Sequence, residues 1–275
     1  MSSLLPHLVL VWLAAASVMA LVWWMQMRTR NAGFVDVAWA VLLAVAALYY
    51  GVVAEGAFVP RLLVALLAAS WGFRLALHLL HRVLNEPEDG RYAHLRVHWG
   101  GHQGKFFAFF QAQALAVTLF SVPFLVAASN RTETLGFWGM LGIAIWITSL
   151  VGESIADLQL ARFRANPKNR GSTCRDGLWR YSRHPNYFFE WLHWFAYVSL
   201  AVGAPYAWLS LIGPALMLVS LCWVSGIPFV EAQSLRSRGD DYREYQRTTS
   251  ALVPWPPKSG KKENGKGKKG ELGTL

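Results

Sequence analysis

Charge is scarce in this chain. Asp, Glu, Lys and Arg make up 15% of its 275 residues, whereas a soluble domain carries about 25%. That deficit argues against an ordinary soluble fold. Cysteine is nearly absent: Cys174 and Cys222 stand alone, so no disulfide framework is available, and both are expected to be reduced and unpaired. Ten-residue alternations of apolar and polar residues are missing, which argues against a membrane β-barrel. A strict internal repeat is missing as well. Adjacent His-His pairs are also absent, although a histidine-box metal oxygenase needs several boxes. "HLRVH", His94 to His98, has the spacing of one box only, and Gly100 and Gly101 break the register before His102. No metal site is expected. Positive charge is lacking ahead of the first apolar run, in "MSSLLPH", and follows it instead. That order is the reverse of a secretory signal, so the run is read as an uncleaved span.

What the chain does have is apolar length. Hydrophobic residues reach 54% and the mean hydropathy is +0.29. Seven runs, at about 4–25, 34–53, 59–80, 106–128, 135–156, 187–204 and 206–228, are each long enough to cross a ~30 Å hydrocarbon core as a helix. The expected fold is all-α, a polytopic membrane bundle of seven transmembrane helices over residues 1–257. Residues 258–275 are Gly- and Lys-rich and are expected to form a disordered basic tail. "EAQSLRSRGDDYREYQRTTSALVPWPP" suggests a short amphipathic helix ended by Pro254, Pro256 and Pro257. Lys and Arg gather after the first, third, fifth and last runs, which places the N-terminus outside and the C-terminus in the cytoplasm. The net charge of +10 is divided among these loops. No nucleic-acid partner is expected from such a distribution, and the natural partner is membrane lipid.

"CRDGLWRYSRHPNYFFEWLHWFAY", residues 174–197, begins polar and cationic and ends as an aromatic helix. A nucleotide cofactor needs donors for its phosphates, amides or carboxylates for its ribose hydroxyls, and apolar or aromatic walls for its rings. The segment from Asp157 to Glu190 offers all three. "ADLQLARFR" spaces Asp157, Leu160 and Arg164 about one turn apart on a helix. "NPKNRG" is a turn carrying Asn166 and Asn169. Arg175 and His184 add donors, and Tyr181 and Tyr187 add rings. Asp157, Asn186 and Glu190 fall inside apolar elements, where an unpartnered carboxylate is expensive and marks a functional site by default. Trp39, Trp71, Trp191 and Trp194 lie within spans, as packing residues or as walls for a flat ligand.

"NPKNRG…CRDGLWRYSRHPNYFFE", "VSGIPFVE", "YREYQRTTSALVPW", "FVDVAWA" and "RLALHLLHRVLNEPEDGRY" together resemble the steroid 5-alpha-reductase C-terminal-domain family, in its uncharacterised bacterial branch. The resemblance covers nearly the whole chain except the tail. It implies a seven-helix fold in a bacterial inner membrane, with cytoplasmic loops closing over NADPH. Matched by spacing, the family's cofactor-holding positions fall on Asp157, Arg164, Asn186 and Glu190. Arg91 matches a basic position near the phosphates, and Tyr245 a tyrosine of the C-terminal motif. Glu153 stands where those reductases have an asparagine.

Reduction of an activated C=C bond needs a hydride donor on one face and an acid at the carbonyl. In the steroid enzymes a Glu on helix two and a Tyr on helix three form the acid pair. Here Asp36 is the only carboxylate of the second run, either a protonated donor or structural glue to Arg74 or Arg28. Leu79 occupies the tyrosine position, and Tyr92 is the nearest substitute. The expected activity is therefore NADPH-dependent reduction of an apolar, membrane-soluble enone or related lipid. The alternative is an S-adenosylmethionine-dependent methyltransferase acting on a lipid or prenylated thiol, since "RHPxY" also occurs in isoprenylcysteine-type methyltransferases. A transporter or purely structural bundle fits less well, because the ionisable residues gather toward the cytoplasmic side. Substrate identity and oligomeric state have no signature in the sequence.

Overall fold

The computed structural model describes residues 4–258. Apart from Lys258, the basic tail lies outside the described residues. Among those residues the chain is helical, with no strands. Its helices are α1 (Leu5–Thr29), α2 (Phe34–Val53), α3 (Phe58–Asn85), α4 (Gly90–His98), α5 (Gln103–Ala128), α6 (Phe137–Ala165), α7 (Pro185–Leu200), α8 (Ile212–Val219), α9 (Ile227–Arg238) and α10 (Asp240–Thr248).

Among the described residues, six helical stretches are long and apolar enough to cross a membrane: α1, α2, α3, α5, α6 and the run Ala207–Arg238 that contains α8 and α9. The chain is an integral membrane protein. The sixth apolar run of the sequence, expected near 187–204, forms a helix of only 16 residues. Pro185 starts it at the first helical position, where the missing N–H is not needed. At 1.5 Å per residue it spans about 24 Å, less than the ~30 Å core.

Small residues set how closely these helices approach, as is usual where apolar burial does not separate helix from lipid. On α3, a Cβ on Gly72 would lie 2.9 Å from the Ala40 carbonyl oxygen of α2. On α6, a Cβ on Gly152 would lie 2.3 Å from the Phe189 ring of α7. Aromatic rings fill the space between: Phe124 stacks on Trp194 at 5.6 Å and Trp71 on His193 at 4.6 Å. Trp71 and Trp194 are buried packing residues. The Trp191 indole donates to the Pro214 carbonyl at 3.0 Å.

The last apolar run is not one straight helix. A π turn over Ser220–Val224 follows α8, and the chain bends at Gly226 before α9. Such turns recur at functional sites. A Cβ on Gly226 would sit 2.5 Å from the Leu221 carbonyl, so this close turn needs glycine. The amphipathic helix expected after the last span is two helices, because Gly239, at φ 55°, ends α9 in a conformation that side chains disfavour. Beyond α10 the chain runs back along residues 181–183. Arg183 N–H donates to the Ser250 carbonyl at 2.8 Å, Ser182 Oγ to Leu252 at 2.7 Å and Trp255 N–H to Tyr181 at 2.9 Å. This clamp fixes the entry into α7.

Candidate functional site

Asp36 lies in the first turn of α2, an otherwise apolar helix. Its Oδ1 accepts from the Tyr92 hydroxyl at 2.5 Å and its Oδ2 from Arg91 at 3.1 Å. Neither Arg74 nor Arg28 is its partner: Arg74 pairs with Glu153 at 2.6 Å, and Arg28 lies over the Trp24 ring. Each of the two Asp36 oxygens thus receives a donor from α4. Tyr92 reaches it because "EDGRY" turns. Asp89 caps α4 by accepting from Arg91 N–H at 2.9 Å, which swings Arg91 and Tyr92 back over the head of α2. Tyr92 is buried, and burial together with the Asp36 charge pushes its phenol well above the ordinary value. Burial alone would raise Asp89. Its bonds to Arg91 and the charges of Arg91 and Arg82 outweigh that and hold it below the usual carboxylate value.

Asp36 and Arg91 face a cavity of about 460 Å³. Asn186, Tyr187 and Glu190 of α7 share it, as does Glu153 of α6. Trp39, Leu75, Leu79 and Phe229 give it apolar walls, and Ser225 and Gly226 at the helix break close one side. Asn186 Nδ2 donates to Asp157 Oδ1 at 3.1 Å, tying α7 to α6. Glu190 Oε2 accepts from the Trp71 indole at 3.3 Å. The departure at Glu153 has a local reason, since its carboxylate neutralises Arg74 on the facing helix.

A second cavity, of about 390 Å³, lies at the C-terminal end of α6. Arg164, Asn166, Asn169, Arg170 and Cys174 line it, joined by Arg238 from α9. The two asparagines build the turn. Asn166 Oδ1 accepts from Lys168 N–H at 3.1 Å, and Asn169 Nδ2 donates to the Phe163 carbonyl at 2.9 Å. Cys174 is unpaired and buried, and burial pushes its thiol up, away from the thiolate form. The two cavities lie along one helix: Glu153 borders the first and Leu160 and Arg164 the second. From Glu153 to Arg164 is about 16 Å of helix.

The remaining residues of the expected cofactor rim sit in the clamp. Arg175 donates to Asp241 Oδ1 at 2.8 Å. His184 Nε2 lies 3.2 Å from Glu231 Oε1, and its ring stacks on Tyr187 at 5.3 Å. The Tyr245 hydroxyl donates to the Trp179 and Ser182 carbonyls. The Tyr181 ring is exposed, and its carbonyl receives Trp255. Glu231 is the hub of this region. Arg183 at 2.6 Å, Gln246 at 2.7 Å and Tyr242 at 3.3 Å all converge on it. Nothing in "VSGIPFVE" taken alone gives Glu231 that role. Its partners are 47, 48, 11 and 15 residues away.

Among the described residues, no three metal-ligating side chains gather at one point. His94 and His98 stack one turn apart on α4, and His102 Nδ1 accepts from Lys105 N–H at the start of α5.

No curated protein matches this chain. A family profile described as a protein of unknown function (DUF1295) matches residues 22–249. The match spans well over half the sequence, and with it every residue lining both cavities: the chain belongs to the DUF1295 family, a steroid 5-alpha-reductase-like family.

Proposed function

We propose that this protein is a membrane-embedded, NADPH-dependent reductase that saturates an activated C=C bond of an apolar lipid or steroid-like enone. One observation carries the reading. Polar side chains from four separate elements, Asp36, Arg91, Glu153, Asn186 and Glu190, converge on a single cavity whose other walls are Trp39, Leu75, Leu79 and Phe229. A structural bundle has no need to desolvate so many ionisable groups around an open space, and pockets with few polar groups among apolar walls bind small molecules.

The residues present suit a dinucleotide. Asn186 and Glu190 offer an amide and a carboxyl at the deeper cavity, and arginines supply the shallower one. Bound NADPH would supply the hydride. The chain's own part is to hold the substrate carbonyl and deliver a proton. Asp36, when protonated, donates to a carbonyl in the cavity. Arg91 and Tyr92 fix its orientation by donating to its two oxygens, and burial keeps the Tyr92 hydroxyl protonated for that role. The apolar walls exclude water from the reacting carbons. In the finer topology of this reading α7 is a seventh crossing, the N-terminus is outside, and the C-terminus lies on the cytoplasmic side of a bacterial inner membrane.

Direct binding tests the reading. Purified protein in nanodiscs is titrated with NADPH and, separately, with S-adenosylmethionine. Saturable NADPH binding is expected. Binding of S-adenosylmethionine alone would replace the reductase with a methyltransferase.

A further inference from the structure

Among the described residues, six buried side-chain N or O atoms have no hydrogen-bond partner, and four of them fall in one place: Arg74 Nε, Ser149 Oγ, His193 Nδ1 and Trp194 Nε1. They lie where α3, α6 and α7 meet. α3 and α6 run parallel at a fixed register. The Trp146 indole donates to the Leu67 carbonyl at 3.0 Å and Arg74 donates to Glu153 at 2.6 Å, both across 79 residues. α7 runs antiparallel to α6, with Asn186 bonded to Asp157, Phe189 against Gly152 and Ala196 against Gly142. Ser149 is therefore level with Trp71 on one side and His193 on the other.

Within that frame α7 carries a polar stripe. Asn186, Glu190, His193 and Tyr197 are spaced by four, three and four residues, so they share one helical face. Trp71 donates to Glu190 at 3.3 Å and stacks on His193 at 4.6 Å. The Tyr197 hydroxyl lies 2.9 Å from His193 Nε2, which leaves Nδ1 as the unpartnered ring nitrogen. His193, Ser149 and Tyr197 are 3%, 1% and 0% exposed. The stripe joins two cavities. Asn186 and Glu190 line the 460 Å³ cavity, and just beyond Tyr197, Ser199 lines a cavity of about 80 Å³ with Asn130, Thr132 and Thr134. From Asn186 to Ser199 no step between successive polar residues of this series exceeds about 6 Å along the axis. Both cavities border exposed residues, Gly90 at one and Thr132 and Thr134 at the other. Packing does not call for such a series inside an apolar bundle. Ionisable groups in series are how intramembrane proton relays are built, and buried polar atoms without a protein partner are typically served by internal water.

We propose that the α7 stripe is a proton path, carrying H⁺ between the 80 Å³ cavity and Glu190 through Tyr197, His193 and water held at Ser149. The proposal goes beyond the reductase reading and does not rest on it. The phenol oxygen and the imidazole nitrogens accept a proton on one side and release one on the other, so the cargo is a single proton and no other bond changes. Pairing with Glu153 neutralises Arg74 beside the path, so that this cation does not repel the proton. Saturation of a C=C bond consumes one proton per hydride, which gives the path a use, yet conduction is a property of the unliganded protein.

Proton flux into phosphatidylcholine liposomes tests it. The full chain is reconstituted without ligands, a pH-sensitive dye is enclosed, and a potassium gradient with valinomycin drives H⁺ entry. Flux above that of protein-free liposomes is expected, falling about tenfold in Tyr197→Phe, His193→Gln and Glu190→Gln, each of which removes one link. Tyr50→Phe removes a buried hydroxyl bonded to Ser121 outside the stripe and should conduct as wild type does. Tyr197→Phe and Glu190→Gln keep the shape of the side chain, and thermal midpoints matched to that of Tyr50→Phe assign a loss of flux to the missing link. Wild-type flux equal to that of protein-free liposomes, or flux unchanged in the three stripe variants, overturns the path. An equal loss in Tyr50→Phe overturns it too, because flux would then follow packing. None of these outcomes depends on NADPH, so the reductase reading stands or falls separately.

Discussion

At the residue scale the informative groups are those whose partners explain an otherwise costly position. Asp36 is half-buried in the first turn of an apolar helix, where Tyr92 and Arg91 satisfy both its oxygens. Asp36→Asn keeps the shape and removes the acid. Turnover of an enone substrate is expected to fall at least ~100-fold, with the NADPH Kd changed less than about threefold. Unchanged turnover takes Asp36 out of the proton path. Asp89 carries a pH dependence whose sign is fixed by its depressed folded value. Its contribution is complete above the ordinary carboxylate value of 3.8 and is lost as pH falls through the lower folded value. Hydrogen-exchange protection across residues 86–98, taken relative to the intrinsic exchange rate at each pH, should therefore be flat between pH 7 and pH 5, fall only in strong acid, and lose that acid dependence in Asp89→Asn. A loss of protection already at pH 6 contradicts the assignment.

At the scale of elements, two couplings position the site. The first is the close approach of α2 and α3, which brings Asp36 and Trp39 opposite Leu75 and Leu79. Gly72→Val forces a side chain into the Ala40 carbonyl, and overpacking of this kind costs about 1–3 kcal/mol. A lower thermal midpoint with reduced nucleotide affinity is expected, and full stability would show that α2 and α3 can separate freely. The second is the clamp of the C-terminal segment on residues 181–184. Glu231→Ala leaves Arg183 and His184 buried without a carboxylate, a loss of about 3–5 kcal/mol when one member of a buried pair is removed. Thermal unfolding measures it, with the exposed pair Arg243–Asp240 as control: Asp240→Asn should leave the midpoint unchanged.

At the scale of the whole molecule the two cavities lie along α6, one among the helices and one among the loop residues that follow it, bordered by helices and segments distant in the chain. A ligand filling both would bridge α6, α7 and α9. NADPH at one hundred times its Kd should therefore raise global stability by about 2.7 kcal/mol, and S-adenosylmethionine should not. Thermal melts with each ligand decide between them. Much of this layout was legible beforehand. Asp36, Asn186 and Glu190 stood out because they are polar inside apolar runs, and they do share a cavity. Arg238 and Glu231 did not stand out. A basic residue at a helix end and a lone acid after a span satisfy topology rules by themselves, and their roles depend on what faces them. Arg175 and His184 suggest cofactor contacts by their donors, and Tyr245 by the family resemblance, and all three bond to the protein's own clamp.

The sequence by itself determined that the chain is a helical membrane protein. Length and hydropathy leave backbone hydrogen bonds in a bilayer no other way to be satisfied than within each helix. It also determined which apolar runs carry out-of-place polar residues. Only the tertiary structure decided who meets whom. Glu153 pairs with Arg74, Asp36 with Arg91 and Tyr92, and Arg238 with the cleft of Arg164 and Arg170, because side-chain contacts between helices depend on crossing geometry and on breaks such as Gly226 and Gly239. A linear pattern records the period of each helix and nothing of the angle at which it meets its neighbours.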